Sequence, residues 1–233
     1  MNRYFKILSF MAALFWVAAP LRADDPAKLA LVVFKQGDAS IVRGGKTIPA
    51  KVKDLIYEKD EIITGASGEL SIQLSSGVLV KISSGSKLVI DGIARSNQNT
   101  DLAIRLENGT ILGQASKDGK KLDMKIQSPT AIAGVRGTEF IIDANQEQTS
   151  VLVNEGVVNV SNSAGEVNVD VEPGNKVVSD GKELISSVLE AFEKQRFEIF
   201  ERFNKEKQKS FDVVVDQVRR NKELMEQQKQ NLP

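Results

Sequence analysis

Between Lys28 and Ser179 the chain repeats one pattern, short runs of alternating apolar and polar residues separated by glycine-marked turns. Leu70, Ile72 and Leu74 alternate with Glu69, Ser71 and Gln73, so a strand built from them has one apolar and one polar face. The same period of two recurs at Val78, Val80 and Ile82, at Leu88 and Ile90, and at Leu102, Ile104 and Leu106. It returns at Val151 and Val153 and at Val167, Val169 and Val171. Turns are marked by Gly44-Gly45, Gly65 to Gly68, Ser76-Gly77, Asn108-Gly109, Asp118-Gly119 and Glu155-Gly156. Strands this short, interrupted this often, specify an all-β domain. No intervening helical pattern of about ten to fifteen residues is present, which disfavours a parallel βαβ architecture.

After Gly174 and Gly181 the pattern changes. From Glu183 to about Gln230 there is no glycine or proline. Apolar residues, including Ile185, Val188, Leu189 and Met225, fall in one broad sector of a helical wheel, the signature of an amphipathic helix. Its expected contact face is Phe192, Ile199, Phe200, Phe203, Phe211, Val214 and Val218. Asp180 and Glu183 supply a capping box at its start. Glu190 and Lys194, Glu198 and Arg202, Glu201 and Lys205, and Asp216 and Arg220 have the favourable i, i+4 order. Unbroken, the helix would be about 70 Å long at about 1.5 Å per residue, too long for a small domain to cover. Three outcomes stay open: a hairpin broken near Asn204 to Ser210, self-association in a coiled coil, or docking on another protein. Eleven basic and ten acidic side chains from Gly181 onward leave no basic face for anionic lipid.

The N-terminus carries Arg3 and Lys6, an apolar run from Ile7 to Ala19, and Ala23 before Asp24-Asp25, the pattern of a signal peptide cut after Ala23. The 13-residue run is shorter than the roughly 18 to 20 residues of a membrane span. The expected organisation is a leader at 1–23, a β domain at 24–179 and a C-terminal amphipathic helix at 180–233. The fold class is mainly β: a rolled antiparallel domain, solenoid-like or sandwich, followed by a long helix or helical hairpin. A cleaved leader places the mature protein in the periplasm or outside the cell.

Composition narrows the chemistry. The 233 residues include no cysteine and no histidine. That excludes disulfides, thiolate nucleophiles, thiolate metal sites, imidazole ligands and Ser-His or Cys-His catalysis. Loss of Arg3, Lys6 and Arg22 with the leader leaves 28 basic against 31 acidic groups, the wrong balance for a nucleic-acid binder. Ser40 to Thr47 ends like a phosphate-binding loop in Gly45-Lys46-Thr47, but Ser40 stands where glycine is required and no helix follows. Ile41 to Pro49 therefore reads as a hairpin. Asn108-Gly109 also reads as a hairpin turn, of type I′. Asp60, Glu61, Asp91 and Asp101 lie on separate turns without calcium-loop spacing. No cofactor or metal is expected, and no catalytic residue.

The most distinctive stretch is Ile126 to Ile142, IQSPTAIAGVRGTEFII. Pro129 with Gly134 and Gly137 frames a tight corner between strands, built by Pro129, Gly134, Arg136, Gly137, Thr138 and Phe140. Gly137 supplies positive φ, Phe140 and Ile142 point inward, and Arg136 and Glu139 are placed to pair. SPTAIAGVRGTEFIID, followed by TSVLVNEGVVNV and VNVDVEPGNKVV, resembles the FecR domain. Upstream, DEIIT at Asp60 to Thr64 and the Gly68 to Ile90 stretch also resemble that family, so the likeness runs from about Phe34 to Val178. The resemblance implies a non-enzymatic, all-β periplasmic domain. The best-known members add a cytoplasmic anti-sigma segment and a transmembrane helix, and sense the signalling domain of an outer-membrane transporter. With a leader in place of those parts, this chain is expected not to reach a sigma factor. What carries over is a protein-binding, scaffold or sensory module whose partners are envelope proteins. Self-association through the C-terminal helix is the second expected contact. A peptidoglycan or carbohydrate binder is the alternative, weakened because five phenylalanines, Phe192 to Phe211, lie on the helix and not on β turns.

Overall fold

The computed structural model describes residues 28–74, 78–95, 100–114, 122–205 and 220. The expected leader, the Ser76-Gly77 and Asp118-Gly119 turns, Asp216, and Phe211, Val214 and Val218 lie outside the described residues. The alternating runs become seventeen strands. These are β1 (Lys28–Gln36), β2 (Ala39–Arg43), β3 (Lys46–Pro49), β4 (Leu55–Tyr57), β5 (Glu61–Thr64), β6 (Glu69–Leu74), β7 (Leu79–Ile82), β8 (Lys87–Arg95) and β9 (Thr100–Gln114). They continue with β10 (Leu122–Gln127), β11 (Ala131–Arg136), β12 (Glu139–Ala144), β13 (Thr149–Glu155), β14 (Val158–Asn162), β15 (Asn168–Val171), β16 (Asn175–Ser179) and β17 (Leu184–Val188).

Pairing arranges them in two layers. One sheet runs β4-β1-β6-β7-β9-β12-β13-β16-β17. The other runs β3-β2-β5-β8-β9-β10-β11-β14-β15. Among the described residues every pairing is antiparallel except β9 with β10. The long β9 belongs to both layers. Residues 100–108 pair with β8 and β10 in one sheet, and residues 109–114 pair with β7 and β12 in the other.

The inward faces of both sheets meet in one core, with Val32, Ile72, Ile82, Phe140, Val151 and Val177 from one layer and Ile62, Leu88, Ile104, Ile126 and Val160 from the other. The domain is thus the sandwich form of the expected rolled β fold, and Phe140 and Ile142 point inward as read. The Gly44-Gly45 hairpin is present, with Arg43 opposite Lys46 and both glycines at positive φ.

Asn108-Gly109 is not a hairpin. It lies within β9, where the strand leaves one sheet for the other. Gly109 has φ 100°, and a Cβ there would lie 2.2 Å from Ser86 Oγ. Asn108 Nδ2 donates to Gly85 O at 2.7 Å, while Ser86 Oγ accepts from Thr110 N at 3.0 Å. The tolerance of Asn-Gly for unusual backbone angles is used to bend a strand against its neighbour, not to reverse it.

The C-terminal segment departs from expectation at its start. Leu184–Val188 is β17, paired with β16, and the helix α1 spans 191–205. Asp180 Oδ1 accepts from Lys182 N at 2.8 Å and Glu183 N at 2.9 Å, closing a turn into β17. Those two amides hold its carboxyl below the usual carboxylate range. The residue that caps α1 is Glu193, whose Oε2 accepts from Glu190 N at 2.8 Å while Oε1 accepts from Lys176 Nζ at 2.6 Å. The β-branched and serine run Ile185-Ser186-Ser187-Val188 favours a strand, which overrides the helical spacing.

α1 lies across the outer face of the first sheet. Leu189, Phe197 and Phe200 pack on Leu112, Ile141 and Leu152. Arg196 makes a bidentate pair with Asp143 at 2.7 and 2.8 Å, Asn204 donates to Gln114 at 2.8 Å, and Phe203 meets Phe34 edge-on at 5.0 Å. Asp143 is the main reason that the Arg196 pKa is raised. Fifteen residues at about 1.5 Å each give about 22 Å, between four and five strand spacings of about 4.8 Å, and the side chains at its ends extend the contact from Lys176 on β16 to Phe34 on β1. The described helix therefore covers its own domain. Of its expected contact face, Phe200 is buried and Phe203 half-buried, but Phe192 (58% exposed) and Ile199 (54%) face solvent. The true stripe includes polar Glu193, Arg196 and Asn204, which an apolar count leaves out, and Phe197, which the expected face omits. Glu201 and Lys205 form the expected i, i+4 pair at 2.8 Å. No helix among the described residues is long and apolar enough to cross a membrane.

Candidate functional site

The two sheets differ on their outer faces: one carries α1, whereas a groove of about 800 Å³ runs over the other. Its floor is a single row of facing residues, Gly92, Ala103, Lys125, Gly134 and Asn159, on β8, β9, β10, β11 and β14. Four strand spacings of about 4.8 Å make that row about 19 Å long. Three of the five residues are glycine or alanine, so little side chain rises from the middle of the sheet. Ile132 and Ser161 flank the row on one side, and Asp123 and Arg136 on the other.

The rim carries charge of both signs. Arg136 Nε lies 3.3 Å from Asp123 Oδ1, and Asn159 Nδ2 donates to Asp170 Oδ1 at 2.7 Å. The Glu58 carboxylate leans over Gly92, where a Cβ would meet Oε1 at 2.9 Å. Beyond the groove, Arg105 binds Asp91 through two hydrogen bonds of 3.0 Å and Lys59 Nζ lies 3.5 Å from Asp91. The Arg105 guanidinium holds the Asp91 carboxyl below its usual range, and Asp91 in turn raises the Arg105 pKa.

Of the other acids singled out from sequence, the Asp101 side chain lies outside the described residues, and Asp60 and Glu61 are also matched to bases. Asp60 is buried and accepts from Arg43 Nε at 2.8 Å, from Arg43 Nη2 at 2.6 Å and from Tyr57 N at 2.8 Å. The same carboxylate raises the Arg43 pKa, and the guanidinium stacks 4.4 Å from the Tyr57 ring centre. Glu61 pairs with Lys87 at 3.2 Å. These are charge-neutralising structural pairs, and no group of three or more metal-ligating side chains occurs among the described residues.

The residues expected at the 126–142 corner divide between two roles. Gly137 has φ 63° and turns the chain from β11 in one sheet to β12 in the other. Pro129 sits in the β10–β11 connection, pinned by hydroxyls: Ser128 Oγ bonds Thr149 Oγ1 at 2.8 Å, Thr130 Oγ1 donates to Thr149 Oγ1 at 2.7 Å, and Ser179 Oγ donates to Thr130 O at 2.6 Å. Thr138 and Phe140 are buried. Gly134 frames no turn; it lies within β11 on the floor of the groove, and Arg136 stands at the rim. Arg136 is exposed and meets Asp123, whereas Glu139 is buried and accepts from Asn154 Nδ2 at 2.7 Å, so the expected Arg136–Glu139 pair is replaced by partners on neighbouring strands. Sequence reasoning missed the groove because its floor is assembled from five strands. Its one local trace was the small, outward positions Gly92, Ala103 and Gly134 within strands β8, β9 and β11.

No curated protein matches this chain. Two crystal structures, each of a candidate anti-sigma factor from Parabacteroides distasonis, are similar at 18% and 20% identity with TM-scores of 0.46 and 0.47. The match covers 56% of this chain and 60% of each of those chains. The family model described as FecR protein matches residues 60–159, a segment that runs from the buried Asp60 to Asn159 in the groove floor.

Proposed function

We propose that the chain is an exported, non-enzymatic module of the bacterial cell envelope that binds a segment of another envelope protein in the groove on its bare sheet. The observation that carries this reading is the asymmetry of the sandwich: α1 occupies one outer face, and the other presents a trough about 19 Å long with a low floor and a mixed-charge rim. A trough of that form accepts polypeptide, with the floor contacting side chains and Glu58, Lys125 and Arg136 offering partners at its margin. The FecR match over residues 60–159 spans the strands that build it, and supports a sensory or regulatory role over a catalytic one. The leader-like Arg3 to Ala23 segment supports periplasmic export. Sugar binding is the weaker reading, since no aromatic side chain lines the groove to stack on a pyranose face.

The test is photocrosslinking in the source bacterium from Lys125 and Asn159, with Lys46 on the far edge as control. The expected result is the same protein adduct from both groove positions, none from Lys46, and loss of both adducts when Gly134→Trp fills the floor without changing the melting temperature. Adducts that survive Gly134→Trp, or that form equally at Lys46, overturn the assignment.

A further inference from the structure

Each sheet of the sandwich ends in two edge strands, and three of the four are blunted against pairing. β3 carries Lys46 and Pro49, β4 is three residues long between Asp54 and Glu58, and β15 is four residues long and contains Asp170. β17 has none of these devices. Its five residues, Leu-Ile-Ser-Ser-Val, contain no charge and no proline, and its register with β16 is unbroken. Among the described residues nothing pairs with its outer side. Ile185 is 63% exposed and Val188 70% exposed.

We propose that β17 is the interface for a second copy of this chain, joined by antiparallel pairing of β17 with itself about a two-fold axis at Ser186. The sequence is self-complementary in that register. Leu184, which packs against the core, faces the partner's Val188 on the inner side of the sheet, and the two serines meet at the axis. An isologous contact of this kind closes at two copies and joins two nine-stranded layers into one of eighteen strands. α1 leaves β17 across the sheet face and not past its edge, so among the described residues the pairing side stays clear. The contact is small, which places the dimer at the weak end of specific interfaces.

The experiment is sedimentation equilibrium of the mature chain from about 10 to 500 µM. The expected result is a monomer–dimer equilibrium that Val188→Asp and Ile185→Lys weaken at least about tenfold with unchanged melting. Ser186→Pro, at the axis, should abolish it. A chain that stays monomeric throughout the range, or a dimer indifferent to Val188→Asp and Ile185→Lys, overturns the proposal. Because the groove lies on the other sheet, failure here leaves the crosslinking result intact, and the reverse.

Discussion

Phe200→Ala tests how α1 is held. Phe200 is 1% exposed and sits with Phe197 on Leu112, Ile141 and Leu152, in a cluster separate from the main core. Truncating a buried phenylalanine to alanine costs about 3 to 5 kcal/mol. Here the loss falls on helix docking, because the removed contacts all cross from α1 to the outer sheet face and none enters the sandwich. At about 1.4 kcal/mol per decade, amide exchange within 191–205 should accelerate by about two to three and a half orders of magnitude, up to the limit of a free helix. Amides in β12 and β13 should keep their core protection, and the main melting transition should move far less than a 3 kcal/mol core lesion would shift it. Hydrogen exchange with peptide resolution reads both. Phe192→Ala, on the solvent side of the same helix, is the control and should stay within about 0.5 kcal/mol. If Phe200→Ala left 191–205 as protected as in the parent, or if the whole sandwich lost protection together, the separation of the two clusters would be wrong.

Gly137→Val should destabilise the β domain by about 1 to 2 kcal/mol, because a β-branched residue resists φ 63°, and Gly137→Asn should cost less. Nothing lies within 4 Å of a Cβ at that position, so strain is the whole effect, and equal melting of the Val and Asn variants would contradict it. Asp91 gives a pH signature. Its carboxyl titrates lower in the folded protein than in the unfolded chain, so its contribution is complete above the unfolded value of about 3.9 and fades as pH falls through the folded value. Asp91→Asn should therefore lower the melting temperature near pH 7, by the equivalent of about 1 kcal/mol or less, and match the parent near pH 2. A gap that persists undiminished at pH 2 would rule out the ion pair as its source.

The β domain was legible because alternation is enforced residue by residue: Leu70, Ile72, Val80, Ile82, Leu102 and Ile104 are all in the core. α1 was legible as a helix but not in its rotation. Burial there is set by what the sheet offers, and Asp143, Lys176 and Gln114 draw Arg196, Glu193 and Asn204 inward while Phe192 and Ile199 turn out. The parallel pairing of β9 with β10 had no signature in sequence, since register between strands depends on the return path of the chain. The groove was illegible for the same reason: Gly92 and Asn159 are 67 positions apart and meet in one row only after five strands have paired.

The strand shared by both layers also dictates the order in which the protein can be completed. Among the described strands, those before Thr100 join the two sheets on one side of β9 through β7 and β8, and those after Gln114 join on the other through β10 and β12. A chain emerging N-terminus first therefore holds two raw sheet margins, one per layer, until that single segment arrives to close both at once. Until then this half-made sandwich is the species most prone to stick to its neighbours, and a holding chaperone would have most to do there.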